Sequence, residues 1–146
     1  MMINSDNCLK LFDLSGRLAV VTGGAGWLGT PIVLGLAQAG AVVFAVGRSQ
    51  ERLEALSNKA LENQLNVVTA QCDITDPSSV SQLINDALAE HRKIDILVNN
   101  ASSSEGGATG LDAPAEAFGH ATEINITASW RLVTLALPKL RAAVAE

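Results

Sequence analysis

The pattern of apolar and polar positions alternates between strand and helix periods along the chain. Short runs rich in β-branched residues are typical of strands buried on both faces of a sheet. Four such runs lie at residues 18–21, 41–46, 66–71 and 94–98. Apolar positions three and four apart predict helices at residues 27–39, from Ser49 to 63, from Pro77 onward, and from 115 or 118 to 143. Strands alternating with helices predict an α/β fold, a doubly wound parallel sheet with strand order 3-2-1-4.

Each of the first three predicted helices has suitable end residues and one apolar face. Ser49 is suited to capping the second helix, Pro77 to the first position of the third, and Gly40 to ending the first. The side chains expected to face the sheet are Ile32, Val33, Leu36, Ala37, Leu53, Leu56, Ala60, Leu61, Val80, Leu83, Ile84, Ala87 and Leu88.

The last predicted helix is apolar around most of its circumference. Its large apolar residues are Ile124, Ile126, Trp130, Leu132, Val133, Leu135, Leu137 and Leu140. A helix of this kind must be covered on two sides. The sheet can cover one side, so we expect a partner on the other, with self-association as a homo-oligomer through this helix.

Composition narrows the class of protein. The 146 residues are 48% hydrophobic and 17% charged, which predicts one globular domain over residues 1–146. The net charge is -5 and the basic residues are scattered, which argues against a nucleic-acid partner. Cys8 and Cys72 are too few for a disulfide framework and have no metal-ligand spacing, so we expect a cytoplasmic protein without a metal.

A membrane span is a competing interpretation of the long uncharged stretch from Leu18 to Gly47. Seven glycines and Pro31 interrupt this stretch, and its pattern changes from strand to helix and back to strand. A buried β-α-β unit explains the missing charges better, so we expect no membrane association.

The stretch from Thr22 to Gly29 carries four glycines between the first strand and the first helix. Such a turn lets backbone amides approach an anion at a helix N-terminus. The segment Asn99-Asn100-Ala101-Ser102 follows the fourth strand. In the order 3-2-1-4 both segments end strands at the crevice where the winding reverses. This placement favours a Rossmann-type dinucleotide-binding site.

These residues resemble the N-terminal part of the short-chain dehydrogenase/reductase family, over residues 12–143. Thr22 to Gly29 resembles its cofactor turn, Asp73 with Ile74 its adenine contact, and Asn99-Asn100-Ala101 its Asn-Asn-Ala-Gly segment. Asn125 matches the asparagine of its catalytic tetrad. The turn differs at Trp27, where most short members have glycine, and Ser102 replaces the glycine of the asparagine segment. The cofactor-binding residues thereby indicated are Gly23, Ala25, Gly26, Trp27, Leu28, Gly29, Arg48, Ser49, Asp73, Ile74, Asn99 and Ala101.

The residues at the end of the second strand bear on the choice of cofactor. An acidic side chain there binds the ribose 2′-hydroxyl of NAD and repels a 2′-phosphate. This chain has Gly47, Arg48 and Ser49 instead, and arginine pairs with phosphate. We therefore expect NADP, with NAD as the alternative.

Structural roles compete with functional ones at several of these positions. Arg48 could be a solvated loop residue, Asp73 a turn cap before Pro77, and Asn99 a polar strand end. Asn125 could serve structure alone, with a buried partner. His91, His120 and the serines at 102–104 suggest no catalytic role of their own.

The family resemblance also implies a catalytic serine and a Tyr-x-x-x-Lys pair that transfer hydride between nicotinamide and an alcohol or ketone. This chain contains no tyrosine. We therefore expect an incomplete domain, truncated before the fifth strand, which binds cofactor and is inactive alone; with a complete domain, a small-molecule substrate is expected. The residues Leu11 to Gly16 look like those of members that act on sugar acids. The alternatives are a non-catalytic nucleotide-binding or interaction module, and a receiver-type or flavodoxin-like domain, which would differ in its acidic pocket and phosphate loop.

Overall fold

The described residues form a parallel sheet with helices on both faces. The structure is a computed structural model that describes residues 10–89, 91–103 and 114–144. Its strands are β1 (Leu18–Thr22), β2 (Val42–Gly47), β3 (Val67–Gln71) and β4 (Ile96–Val98). They are parallel in the order β3-β2-β1-β4, which confirms the predicted fold class and strand order.

Helices follow each strand as the pattern predicted. They are α1 (Gly29–Gln38), α2 (Gln50–Glu62), α3 (Pro77–Ala89), α4 (Ala115–Thr122), a π-helical segment (Glu123–Ala128) and α5 (Ser129–Val144). The serine- and glycine-rich composition of residues 102–110 predicts a loop after β4, and residues 104–113 lie outside the described residues. None of the described helices is long and apolar enough to cross a membrane.

The core has two halves, one on each face of the sheet. Successive residues of β1 alternate between them: Leu18 and Val20 pack on one face, and Ala19 and Val21 on the other. The first half contains α3, the π-helical segment and α5, and the second contains α1 and α2. Because side chains of a strand point to opposite faces in turn, Leu18 to Val21 of β1 must all be apolar, as they are.

Side-chain caps fix the starts of α2 and α3. The Ser49 hydroxyl accepts a hydrogen bond from the Arg52 N–H at 3.4 Å, so Ser49 caps α2 as predicted. Asp76 caps α3, since its carboxylate accepts from the N–H groups of Ser78 and Ser79, each at 3.1 Å. The hydroxyl of Ser79, followed by the hydroxyl and N–H of Ser78, holds the pKa of Asp76 well below its usual range.

Three local predictions need correction. Leu61 is 79% exposed rather than buried, because it lies one residue, about 100°, around α2 from Ala60, which does face the sheet. The first helix begins at Gly29 rather than at 27, because the glycine turn occupies the preceding residues. Ile94 is buried but precedes β4, which begins at Ile96.

The last helical region has one buried apolar face and several exposed apolar residues. Ile124, Ala128, Leu132 and Ala136 are buried against the sheet side of the core. The large apolar residues that are exposed include Ile126, Trp130, Leu135 and Leu137, and Trp130 is 69% exposed. The sheet therefore covers one side of the helix, and the exposed side carries apolar residues together with Thr134, Lys139 and Arg141.

Candidate functional site

A cavity of about 510 Å³ opens where the strands end, at the crevice between β1 and β4. Its lining comes from the segment after every strand and from the π-helical segment. The lining residues are Gly23, Ala25, Gly26, Trp27, Leu28, Gly29, Val46, Gly47, Arg48, Ser49, Arg52, Cys72, Asp73, Ile74, Thr75, Asn100, Ala101, Ser102 and Ile124. The volume lies in the range of small-molecule and cofactor sites.

The glycine turn forms one wall of the cavity from close-packed backbone. The Gly24 N–H donates to the Val46 carbonyl and the Gly26 N–H to the Gly23 carbonyl, both at 2.9 Å. Gly23 has φ +63°, and a Cβ there would lie 2.9 Å from the Ala101 Cα. A Cβ on Gly29 would overlap the Gly23 carbonyl oxygen. These positions require glycine because their neighbours are backbone atoms that have no room to move away.

Thr22 and Asn100 join the turn to the end of β4. The Asn100 Nδ2 donates to the carbonyls of Thr22 and Gly23, at 3.0 and 3.1 Å. The buried Thr22 hydroxyl accepts from the N–H groups of Asn100 and Ala101, each at 3.1 Å, and donates to the Val98 carbonyl at 3.4 Å. The turn and the asparagine segment therefore form one hydrogen-bonded unit.

The structure brings most of the predicted site residues together and separates two from the cavity. Gly23, Ala25, Gly26, Trp27, Leu28, Gly29, Arg48, Ser49, Asp73, Ile74 and Ala101 all line it. Asn99 is exposed and is not among the lining residues, whereas its neighbour Asn100 is. Asn125 lies in the π-helical segment with an exposed side chain, and its Oδ1 accepts from the Ser103 N–H at 3.3 Å.

Charged groups of both signs lie beside one another after β2 and β3. Arg48 and Arg52 both line the cavity, and Gln71 Nε2 donates to the Arg48 carbonyl at 2.9 Å. The Asp73 Oδ1 accepts from the Thr75 N–H at 2.9 Å and from its hydroxyl at 2.7 Å. Those two bonds, and then the nearby Arg48 charge, hold the pKa of Asp73 below its ordinary value. Asp73 therefore caps a turn, as the structural interpretation of the sequence proposed, and lines the cavity as well.

The cavity offers no reactive thiolate at neutral pH. Burial, followed by the charges of Asp73 and Asp76, raises the pKa of the Cys72 thiol to about 11. Since the thiolate is the nucleophilic form, Cys72 is a packing residue here. Across residues 10–89, 91–103 and 114–144, no cluster of three or more His, Cys, Asp or Glu side chains could hold a metal ion.

Sequence reasoning missed several residues of the cavity wall. Arg52 lies in the first turn of α2, shortly after Arg48, and this closeness in sequence is the signal that could have indicated it. Asn100 stood beside Asn99, but only the pairing of β1 with β4 shows which of the two faces Thr22. Thr75 and Ile124 come together only through the packing of the last helix on the turn after β3.

Comparison with known families identifies this arrangement. The family model described as short chain dehydrogenase matches residues 17–145. The chain belongs to the short-chain dehydrogenase family. It is 31% identical over 139 residues to the 7alpha-hydroxysteroid dehydrogenase of Escherichia coli strain K12. That alignment covers 95% of this chain and 52% of the relative. It is 39% identical over 116 residues to the 2-dehydro-3-deoxy-D-gluconate 5-dehydrogenase of Pseudoalteromonas atlantica. That alignment covers 76% of this chain and 42% of the relative.

Solved structures of the short-chain dehydrogenase family agree with this one. A crystal structure of a Caenorhabditis elegans short-chain dehydrogenase/reductase of unknown function, with cofactor, matches with a TM-score of 0.82 at 30% identity. The match covers 90% of this chain and 51% of that one. A short-chain type dehydrogenase/reductase from Mycobacterium marinum matches with a TM-score of 0.81, also at 30% identity, covering 90% of this chain and 53% of that one. The chain thus spans about half the length of the curated relatives and solved structures that it matches.

The family binds a nicotinamide dinucleotide, NAD or NADP, and the cavity fits such a group. The glycine turn presents bare backbone at Gly23 and Gly29, where a side chain would come too close to other backbone atoms. A phosphate group needs close backbone approach of this kind at a helix N-terminus, and α1 begins at Gly29. Arg48 and Arg52 supply positive charge on the same cavity.

Proposed function

We propose that these residues bind NADP(H) and form the cofactor-binding part of an oxidoreductase that acts on an alcohol or ketone. One observation carries the proposal. A single cavity is lined by the glycine turn, two arginines after β2, the Asp73–Thr75 turn and the Asn100–Ser102 segment. Phosphate, ribose and adenine each have a suitable wall in that cavity.

The proposed roles follow the position of each residue on the cavity. The backbone from Gly23 to Gly29 would hold the pyrophosphate, with Trp27 and Leu28 beside the nicotinamide half. Asp73 and Ile74 would contact the adenine, and Ala101 would close the opposite wall. When bound, the nicotinamide supplies or accepts the hydride. Asn125 does not line the cavity, and its proposed role, holding a proton-relay water, rests on the family resemblance alone.

The preference for NADP rests on charge. Gly47 ends β2 where an acid would repel a 2′-phosphate, and Arg48 and Ser49 follow it. Arg52 adds a second guanidinium on the same side of the cavity. Guanidinium groups form strong, bidentate bonds to phosphate oxygens, so two of them favour the 2′-phosphate over a free ribose hydroxyl.

We further propose that the chain binds its cofactor without turnover. It contains no tyrosine, and the family's acid/base group is a tyrosine whose pKa a lysine lowers. The relatives named above act, by their names, on a hydroxysteroid and on a sugar acid. Both are dehydrogenases by name and they differ in substrate, so we propose a dehydrogenase reaction class for this chain and no particular substrate.

Calorimetric titration of the chain with NADPH and NADH tests this function, together with an assay against a panel of ketones and alcohols. We expect saturable binding, tighter for NADPH, and no change in NADPH absorbance with any substrate. If neither dinucleotide binds, the proposed function fails. Turnover would show that another group replaces the tyrosine, and tighter binding of NADH would reverse the assigned cofactor.

Two large apolar side chains of the last helical region are exposed: Ile126 in the π-helical segment and Trp130 in α5. We propose that the chain self-associates through the surface that contains them, because a second copy would bury it. A reducing compartment such as the cytoplasm suits the protein, since Cys72 is a free, buried thiol.

A further inference from the structure

Arg131 connects the last helix to the cavity wall without lining the cavity itself. Its Nη1 donates to the Thr75 carbonyl at 3.1 Å, across 56 residues of sequence. Its Nη2 donates to Glu123 Oε1 at 3.4 Å, and the Arg131 side chain is 26% exposed. Thr75 lines the cavity, whereas Arg131 is not among the lining residues. Arg131 therefore contacts the cavity wall at Thr75.

The segment that Arg131 contacts is a small, closed turn. The Thr75 N–H and hydroxyl both bond to Asp73 Oδ1, so a shift of Thr75 moves Asp73 with it. Between them, Ile74 is buried in the same core cluster as Ile124 and Leu132 of the last helical region. Apolar packing and one guanidinium bond together hold this turn against the last helix.

The hydrogen bond from the Arg131 guanidinium fixes the orientation of the turn, which apolar packing alone does not do. A hydrogen bond from a charged donor is stronger than one between neutral groups, and it fixes the position of its acceptor. Without Arg131, the Thr75 carbonyl would bond to water, and the packing of Ile74 would remain to hold the turn against the last helical region. The Glu123 ion pair is longer and more exposed, so it orients Arg131 and contributes little more.

We propose that Arg131 is a positioning residue that holds the Asp73–Thr75 wall in place for the adenosine half of the dinucleotide. The inference rests on the proposed function, since it assumes that a dinucleotide occupies this cavity. It assigns to the last helix an indirect part in cofactor affinity, through Thr75, at one end of the cavity.

Binding of NADPH and of 2′,5′-ADP, which carries only the adenosine half, tests the proposal by calorimetry. Arg131→Met removes the donors and keeps an apolar stem, and it should weaken both ligands equally, by about 5- to 10-fold. Arg131→Lys keeps a charge and one donor, and should lose less. Glu123→Gln leaves the bond to Thr75 intact and should change either affinity less than about twofold. Arg141→Met, an exposed position on the same helix, is the matched control and should have no effect.

Amide hydrogen exchange distinguishes a local role from a loss of overall stability. In Arg131→Met, exchange should accelerate at residues 73–76 and remain unchanged at the glycine turn. Unchanged 2′,5′-ADP affinity in both Arg131 variants would overturn the proposal, and so would equal acceleration at the glycine turn. If Arg131→Met does not fold, Arg131→Lys decides by the same two readouts. Failure of the wild-type chain to bind NADPH or 2′,5′-ADP would instead refute the proposed function itself.

Discussion

Replacing Gly29 by alanine should displace the glycine turn from the first helix. A Cβ at this position would overlap the Gly23 carbonyl oxygen and lie 2.8 Å from both the Gly23 carbonyl carbon and the Gly24 Cα. All three atoms belong to the backbone, so the overlap is relieved only if the turn moves as a whole. Overpacking of this kind costs about 1–3 kcal/mol of folding stability.

The same helix offers a matched control for this substitution. Gly35 lies in the interior of α1, is exposed, and has no heavy atom within 4 Å of a Cβ built on it. Gly35→Ala should therefore stabilise the chain by about 0.5–1 kcal/mol, because alanine loses less backbone entropy than glycine on entering a helix. The two variants add the same methyl group and should change stability in opposite directions.

Urea unfolding followed by circular dichroism, with NADPH calorimetry on each variant, measures both effects. Gly29→Ala should lower the unfolding midpoint and weaken NADPH, about tenfold for each 1.4 kcal/mol of binding free energy lost. Gly35→Ala should raise the midpoint and leave the affinity unchanged. The close packing of the turn would be refuted as the cause if Gly29→Ala kept wild-type stability and affinity, or if both variants were destabilised alike.

Other predictions concern cofactor choice, an acidic cap and the last helix. Arg48→Asp should weaken NADPH and spare or strengthen NADH in calorimetry, because a carboxylate repels the 2′-phosphate; an unchanged NADPH affinity would contradict the assignment. Asp76→Ser keeps a cap for α3 but removes a carboxylate with a lowered pKa. Such a group stabilises the fold above its unfolded pKa of about 3.9 and loses that effect as pH falls through its folded value. Below about pH 5 the urea midpoint of the wild type should therefore fall more steeply with decreasing pH than that of Asp76→Ser. Equal slopes of midpoint against pH in the two proteins would contradict this. Trp130→Glu should reduce self-association in light scattering, and an unchanged mass would count against the surface that contains Trp130.

The periodic pattern of the sequence was sufficient to predict the sheet. Strands that are apolar on both faces, separated by amphipathic helices, admit few arrangements, because crossovers are short and right-handed. The order β3-β2-β1-β4 then placed the glycine turn and the asparagine segment at one crevice before any contact was known. Capping by Ser49 followed from local chemistry alone.

Long-range contacts explain what the sequence left open. Asn99 and Asn100 look alike in sequence, and only the packing at the ends of β1 and β4 directs Asn100 towards the carbonyls of Thr22 and Gly23. The bond between Arg131 and Thr75 spans 56 residues and has no local signature. Leu61 shows that helical periodicity alone can also predict too much burial. It lies at the edge of the apolar face of α2, and such a residue is buried only where another element covers it.

The π-helical segment explains how one helical region both walls the cavity and presents exposed apolar residues. Ile124, Ala128, Leu132 and Ala136 are all buried, at successive spacings of four residues. In a regular α-helix each such step rotates the side chain by about 40°, so three steps would carry Ala136 about 120° from Ile124. A π turn closes over one extra residue, which offsets part of that drift. Ile124 therefore stays on the buried side with Leu132 and reaches the cavity, while Ile126 and Trp130 face outward.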